Sequence, residues 1–278
     1  MRKEAVSGQF YPSGKAELKE KVEKLLAKSK RKEKAKVYGI VSPHAGYEYS
    51  GEAAASAYKE LEHGKYDVFI LLGPNHTGYG KKVSVTDEDF ETPLGIAEND
   101  KEFCKEIIGK FGKSEEAHKY EHCLEVQLPF LISIFKKIKM APIILSLDSY
   151  SECAELAKEL EIIIIKLKRK ACIIASSDFT HYGGAYGFLP FSGSNEEIKK
   201  KLYELDRKAI SFVEKLNGKE FFQYSQNTTI CGVAAITTAI ELCKGLGAKK
   251  AKLLNYYTSG DISGDYSNAV GYAAIEFV

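Results

Sequence analysis

The sequence predicts an α/β fold, a three-layer αβα sandwich built as one domain over residues 1–278. Three observations carry this expectation. Short runs rich in Val and Ile alternate with amphipathic stretches of helical length. Each run is followed by a polar or Gly-rich turn. No internal repeat, low-complexity tract or linker divides the chain. Buried strands separated by helices are the pattern of a largely parallel sheet covered on both faces.

The elements follow in order. An amphipathic stretch at 14–26 has Ser13 before it as an N-cap, and residues 37–42 make the first buried strand. A helix at 51–61 leads to a strand at 67–72, with an extra strand expected at 83–86. Asp100 caps a helix at 101–110, and an amphipathic helix is expected at 121–135. The strand at 141–145 contains Pro142, which a ladder tolerates only at a strand start or edge. A helix at 152–167 contains the run Ile162 to Ile165, whose periodicity fits helix or strand equally. A strand at 171–176, helices at 196–216 and 232–246, and closing strands at 252–258 and 269–277 complete the chain.

Composition limits the function classes. Hydrophobic content of 44% and charged content of 28% are those of a globular protein and exclude collagen-like, disordered and disulfide-scaffold chains. Surface scaling for this length gives about 12,000 Å² exposed when folded against about 45,000 Å² unfolded, enough for a substantial core. A net charge of +2 favours neither nucleic acid nor an acidic partner. The one basic cluster, six residues of 28–36 against Glu33, reads as a solvated loop. The longest apolar run has five residues, far short of the roughly 20 that span a bilayer. The first eight residues lack a signal-peptide core, and the six cysteines form no Cys-x-x-Cys pair. A cytoplasmic protein with reduced thiols is expected.

Ligands of open α/β sheets sit beyond the carboxyl ends of the strands. Three expected strands end there in unusual polar residues: Pro43-His44-Ala45-Gly46-Tyr47, Gly73-Pro74-Asn75-His76-Thr77-Gly78, and Ser177-Asp178-Phe179-Thr180-His181-Tyr182. A single histidine near a strand end is commonly structural. Two on short Gly- and Pro-bearing loops at equivalent ends make His44 and His76 candidate metal ligands, since imidazole must be held in orientation to bind an ion. Cys231 precedes the expected helix at 232–246, where the dipole favours a thiolate; the plainer alternative is a small core residue. Asp178 lies three residues before His181, so its carboxylate could orient that ring for general acid–base work. His122 could face the same site, or Glu121 beside it could be a first-turn carboxylate. His63 and His118 lie in charged surroundings. No Gly-x-Ser-x-Gly, Gly-x-x-x-x-Gly-Lys or Gly-x-Gly-x-x-Gly motif occurs.

At these residues the sequence resembles the Memo family, nearly end to end. The resemblance is carried by Gly8-Gln9-Phe10-Tyr11-Pro12, Pro43-His44-Ala45-Gly46-Tyr47, Gly73-Pro74-Asn75-His76, Glu121-His122-Cys123-Leu124-Glu125, Ser176-Ser177-Asp178-Phe179-Thr180-His181 and Cys231-Gly232. It implies a fold similar to class III extradiol dioxygenases, which are non-haem iron enzymes. It implies His44, His76 and Cys231 as ligands of one metal ion, with Asp178, His181 and His122 as acid–base or supporting residues. Cys231 stands where the dioxygenases have a carboxylate, so ring cleavage does not transfer with the fold. The expectation is one ion, iron or copper ahead of zinc, in an oxidoreductase-like site whose mouth is lined by Tyr47, Tyr49 and Tyr182. The alternative is a binding module for a small aromatic or phosphotyrosine-like ligand. The resemblance further implies radical-SAM and AMMECR-type partner proteins, and neither nucleic acid nor membrane.

Overall fold

The computed structural model describes residues 1–30 and 35–278, so residues 31–34 of the basic cluster at 28–36 lie outside the described residues. The strands are β1 (Gly39–Ser42), β2 (Val68–Pro74), β3 (Val83–Val85), β4 (Phe90–Thr92), β5 (Gly95–Asn99), β6 (Lys139–Leu145), β7 (Ala171–Ser176), β8 (His181–Gly183), β9 (Ala251–Thr258) and β10 (Asn268–Phe277). They form one ten-stranded sheet. The run β5-β6-β2-β7-β1 is parallel throughout. Antiparallel additions finish it: β10 on β1, β8 and β9 on β10, β3 on β6, and β4 on β5.

The helices are α1 (Lys15–Lys28), α2 (Tyr47–Leu61), α3 (Lys101–Phe111), α4 (Leu128–Phe135), α5 (Tyr150–Lys166), α6 (Asn195–Glu214), α7 (Gly218–Ser225), α8 (Val233–Gly245) and α9 (Ser259–Ser263). Alternate strand residues feed two separate cores, because successive side chains leave a strand on opposite faces. Val68, Ile70 and Leu72 pack with Ile163 of α5 and Ile236 of α8. Phe69 and Leu71 pack with Leu18 of α1, Tyr58 of α2 and Phe130 of α4. The expected three layers are therefore present, and the accessible area of 11867 Å² agrees with the size scaling. No helix among the described residues is long and apolar enough to cross a membrane.

Local chemistry explains where boundaries depart from expectation. The isoleucine run at 162–165 is helical because Ser149 and Glu152 cap α5 reciprocally and Ile163 and Ile164 alone face the core. Helix α2 begins at Tyr47, four residues early. Gly51 lies inside it, where a Cβ would come within 2.8 Å of Leu25 on α1, so the glycine permits close helix packing. Residues 121–124 are not helical. The Glu121 carboxylate takes the backbone N–H groups of His122 and Cys123, and a 3₁₀ turn (Glu125–Gln127) then leads into α4. Pro142 is internal to β6, yet one edge of the strand has no ladder partner there: β5 pairs as far as Met140 and β3 only from Ile143.

Candidate metal centre

Because β1, β2 and β7 run parallel, their carboxyl ends deliver His44, His76 and Asp178 to one edge of the sheet, as the sequence implied. Chain-distant residues meet there. One ring nitrogen each of His44, His76 and His122 lies within 4.8 Å of the others. The Cys231 Sγ lies 3.3 Å from His44 Nε2, although 187 residues separate them in the chain. Bonds of about 2.1 Å to nitrogen and 2.3 Å to sulfur at a tetrahedral centre place their donors roughly 3.4–3.6 Å apart. The His44–Cys231 pair meets that spacing, whereas the compact three-donor group is His44, His76 and His122, and Cys231 does not come within 4.8 Å of all of its ring nitrogens.

Hydrogen bonds fix which nitrogen of each ring is free. The Ser176 hydroxyl donates to the Cys123 carbonyl (2.6 Å) and accepts from Gln127 Nε2 (2.8 Å). Its proton is thus committed, and His44 Nδ1, 2.9 Å away, must donate to it. The lone pair of His44 is left on Nε2, facing Cys231. His76 Nδ1 lies 3.0 Å from Glu121 Oε1, which assigns the same tautomer. His181 Nδ1 lies 3.0 Å from the Thr229 carbonyl and must donate there, leaving Nε2 as an acceptor. A ring locked through Nδ1 to a carboxylate, hydroxyl or carbonyl is the usual support of a ligating histidine.

Glu121 holds the His76 ring and the backbone of His122. It accepts from the His76 backbone N–H (2.7 Å), the His122 and Cys123 N–H groups (2.9 and 3.0 Å) and the His76 ring. Burial raises its pKa, but the hydrogen bond and electrostatic attraction of the His76 ring, with the Cys123 N–H, bring it down to about 2. His76, Glu121 and Cys123 also lie within 4.8 Å of one another. Glu121 is engaged by these donors, however, and the Cys123 thiol donates to the Pro74 carbonyl, so this set orients rings and does not compete for an ion.

The electrostatics favour neutral imidazoles at His44 and His122. Burial, then the charges of His122, His76 and His181, hold His44 well below its ordinary value. Burial lowers His122 to about 4 despite the opposing charge of Glu121. Asp178 is raised by burial, against the pull of His181 and the backbone N–H groups of His44 and Ala45.

Several expectations change. The Asp178 carboxylate accepts from the His44 backbone N–H at 2.8 Å, so it braces the His44 loop, and the partner of the His181 ring is Thr229. Cys231 does not gain a thiolate from the helix: burial and the charge of Asp178 raise its pKa, and only a nearby cation would reverse that. Tyr47 and Tyr182 are buried, with hydroxyls donating to Val126 and Phe191 carbonyls. Exposed Tyr186 lies 5.1 Å from the His181 ring, and Tyr49 is exposed. His118 is buried, with Nε2 at the Ser84 carbonyl, and lies outside the cluster of the His44, His76 and His122 rings. Ser176, Glu121 and Thr229 escaped sequence reasoning as supports; only the adjacency of Glu121 to His122 hinted at one. A cavity of about 710 Å³ lies elsewhere, at the amino ends of β1, β2 and β7, with Tyr38, Tyr66 and Lys170 in its walls.

Comparison with known proteins agrees with this frame. The profile of the Memo-like protein family matches residues 2–276. A MEMO1 family protein of Methanosarcina barkeri is 40% identical over 277 residues, 99% of either chain. A MEMO1 family protein of Aquifex aeolicus is 40% identical over 287 residues, covering 100% of this chain and 99% of its own. One from Nitrosopumilus maritimus is 37% identical over 292 residues and the full length of both chains.

Proposed function

This chain belongs to the Memo-like family, and from that membership and the geometry above we propose that it is a single-metal protein with an oxidoreductase-like site. His44, His76 and Cys231 hold the ion, and His122, whose ring nitrogen lies within 4.8 Å of those of His44 and His76, is a further donor. The observation that carries the reading is the Cys231 Sγ at 3.3 Å from the free nitrogen of His44. Two imidazoles and a thiol are a borderline-to-soft donor set, suited to iron, copper or zinc. Iron or copper bound there supplies Lewis-acid and one-electron chemistry.

The chain's own residues prepare the rest. The burial that disfavours charge on His44 keeps its Nε2 lone pair available at acidic pH. Asp178 fixes the His44 backbone, and Glu121 fixes His76. His181, with Nδ1 donated to Thr229, offers Nε2 to accept a proton from an acidic substrate group such as a phenol. Tyr186 against that ring supplies an aromatic wall for a small aromatic substrate.

Metal analysis of protein purified anaerobically without chelator tests this. About one equivalent is expected in the wild type and far less in His44→Ala, His76→Ala and Cys231→Ser. Equal content in all four ends the metal reading. Oxygen uptake with catechols by the Fe(II)-loaded wild type, lost in His181→Gln at unchanged metal content, tests the proton-acceptor role. Equal rates in the two proteins reject that role.

A further inference from the structure

The first eleven residues form an arm stitched onto the two loops that present His44 and His122. Arg2 is almost fully buried. Its Nη1 pairs with the Glu125 carboxylate, its Nη2 donates to the Glu121 carbonyl (2.5 Å), and its Nε donates to the His118 carbonyl (2.9 Å). Glu125 is wholly buried and satisfied by the arm: besides Arg2, it accepts from the Ala5 and Val6 N–H groups (2.8 and 3.1 Å) and the Tyr11 hydroxyl. The far end of the arm reaches the other loop. The Phe10 carbonyl accepts from the Tyr47 N–H at 2.8 Å, and the Phe10 ring lies 4.8 Å from the His122 ring.

An undocked arm would strand the Glu125 carboxylate, a buried charge without a partner, so the loop at 118–127 cannot keep its conformation alone. That loop carries both His122 and the carboxylate that orients His76. We propose that docking of the N-terminal arm is thermodynamically coupled to occupancy of the metal centre, with Arg2 and Tyr11 acting through Glu125 as positioning residues for His76 and His122. This rests on the single-metal reading. By linkage, any factor by which an open arm weakens metal binding is the factor by which bound metal suppresses arm opening.

Cobalt(II) is the probe, because its absorption spectrum reports loading without any assay of turnover. In protein whose spectrum certifies loading, amide hydrogen exchange at Ala5 and Val6 slows about tenfold relative to the metal-free protein, while exchange at Ile173 and Ile174 in β7 is unchanged. Arg2→Lys and Tyr11→Phe each weaken cobalt binding several-fold, and Arg2→Met weakens it more than Arg2→Lys. Tyr11→Phe removes a single hydroxyl and keeps the test open if Arg2→Met does not fold. Unchanged Ala5 and Val6 exchange in loaded protein, or wild-type cobalt affinity in folded Tyr11→Phe and Arg2→Lys, overturns the coupling alone. No cobalt spectrum in the wild type overturns the metal reading and the coupling together.

Discussion

Replacing Asp206 by Asn should change how stability depends on pH. Asp206 lies on α6, wholly buried beneath the turn that carries Asp178 and His181. Its Oδ1 accepts from the Thr180 N–H (3.2 Å) and hydroxyl (2.5 Å), and its Oδ2 accepts from the Tyr256 hydroxyl (2.7 Å). Burial raises its pKa from 3.8 to about 6, against the opposing hydrogen bonds from Thr180 and Tyr256. The folded state therefore holds this proton more tightly than the unfolded chain does. The group favours folding fully below about pH 3.8, and that contribution is lost as pH rises to about 6. At roughly 1.4 kcal/mol per pKa unit the loss amounts to about 3 kcal/mol. Asn keeps an acceptor for Thr180 and presents an amide to Tyr256, whose hydroxyl can turn to accept. Urea unfolding of both proteins from pH 4 to 7.5 isolates the effect, since other titrating groups cancel in the difference. The variant should gain about 2.4 kcal/mol relative to the wild type across that range. Parallel stability curves would refute the assignment of a raised pKa to Asp206.

Other substitutions probe the centre and the scaffold. Ser176→Ala removes the acceptor that fixes the His44 tautomer and should weaken cobalt binding about ten- to hundredfold; wild-type affinity by titration would contradict it. In Gly232→Ala the new Cβ would lie 2.4 Å from Ser177 Cβ and 2.8 Å from the Ser176 carbonyl, so the Cys231 loop must shift. The thiolate-to-cobalt absorption should fall, and an unchanged spectrum would show that the loop absorbs the methyl group elsewhere. Ser149→Ala removes one half of the α5 capping box and should lower stability by about 1 kcal/mol, read as a reduced urea midpoint.

The parallel core was legible because it is written locally. Runs such as Val68 to Leu72 are too short for helices and too continuous for an exposed sheet, and the segments between them have helical period. The short strands β4, β5 and β8 and the helix α7 were not legible, since segments such as Gly95–Asn99 have little apolar pattern and are ordered by their neighbours. The start of the expected helix at 121 failed for a related reason. A carboxylate that satisfies its own chain's amides competes with helix, and nothing in the local pattern reveals which way its side chain turns.

By itself the sequence determined the layer order and the residue types at the carboxyl edge, because period and turn chemistry act over a few residues. It therefore named His44, His76, His122, His181 and Cys231. Only the tertiary structure decided how they are used. The Gly232 N–H donates to the Ser177 hydroxyl beyond β7, which brings Cys231 to His44 beyond the neighbouring parallel strand β1. Ser176 and Thr229 choose the ring tautomers, and Glu125 ties the chain's first residues to the loop of His122. Hydrogen-bond direction and burial depend on partners 48 to 187 residues away, and local sequence carries no record of them.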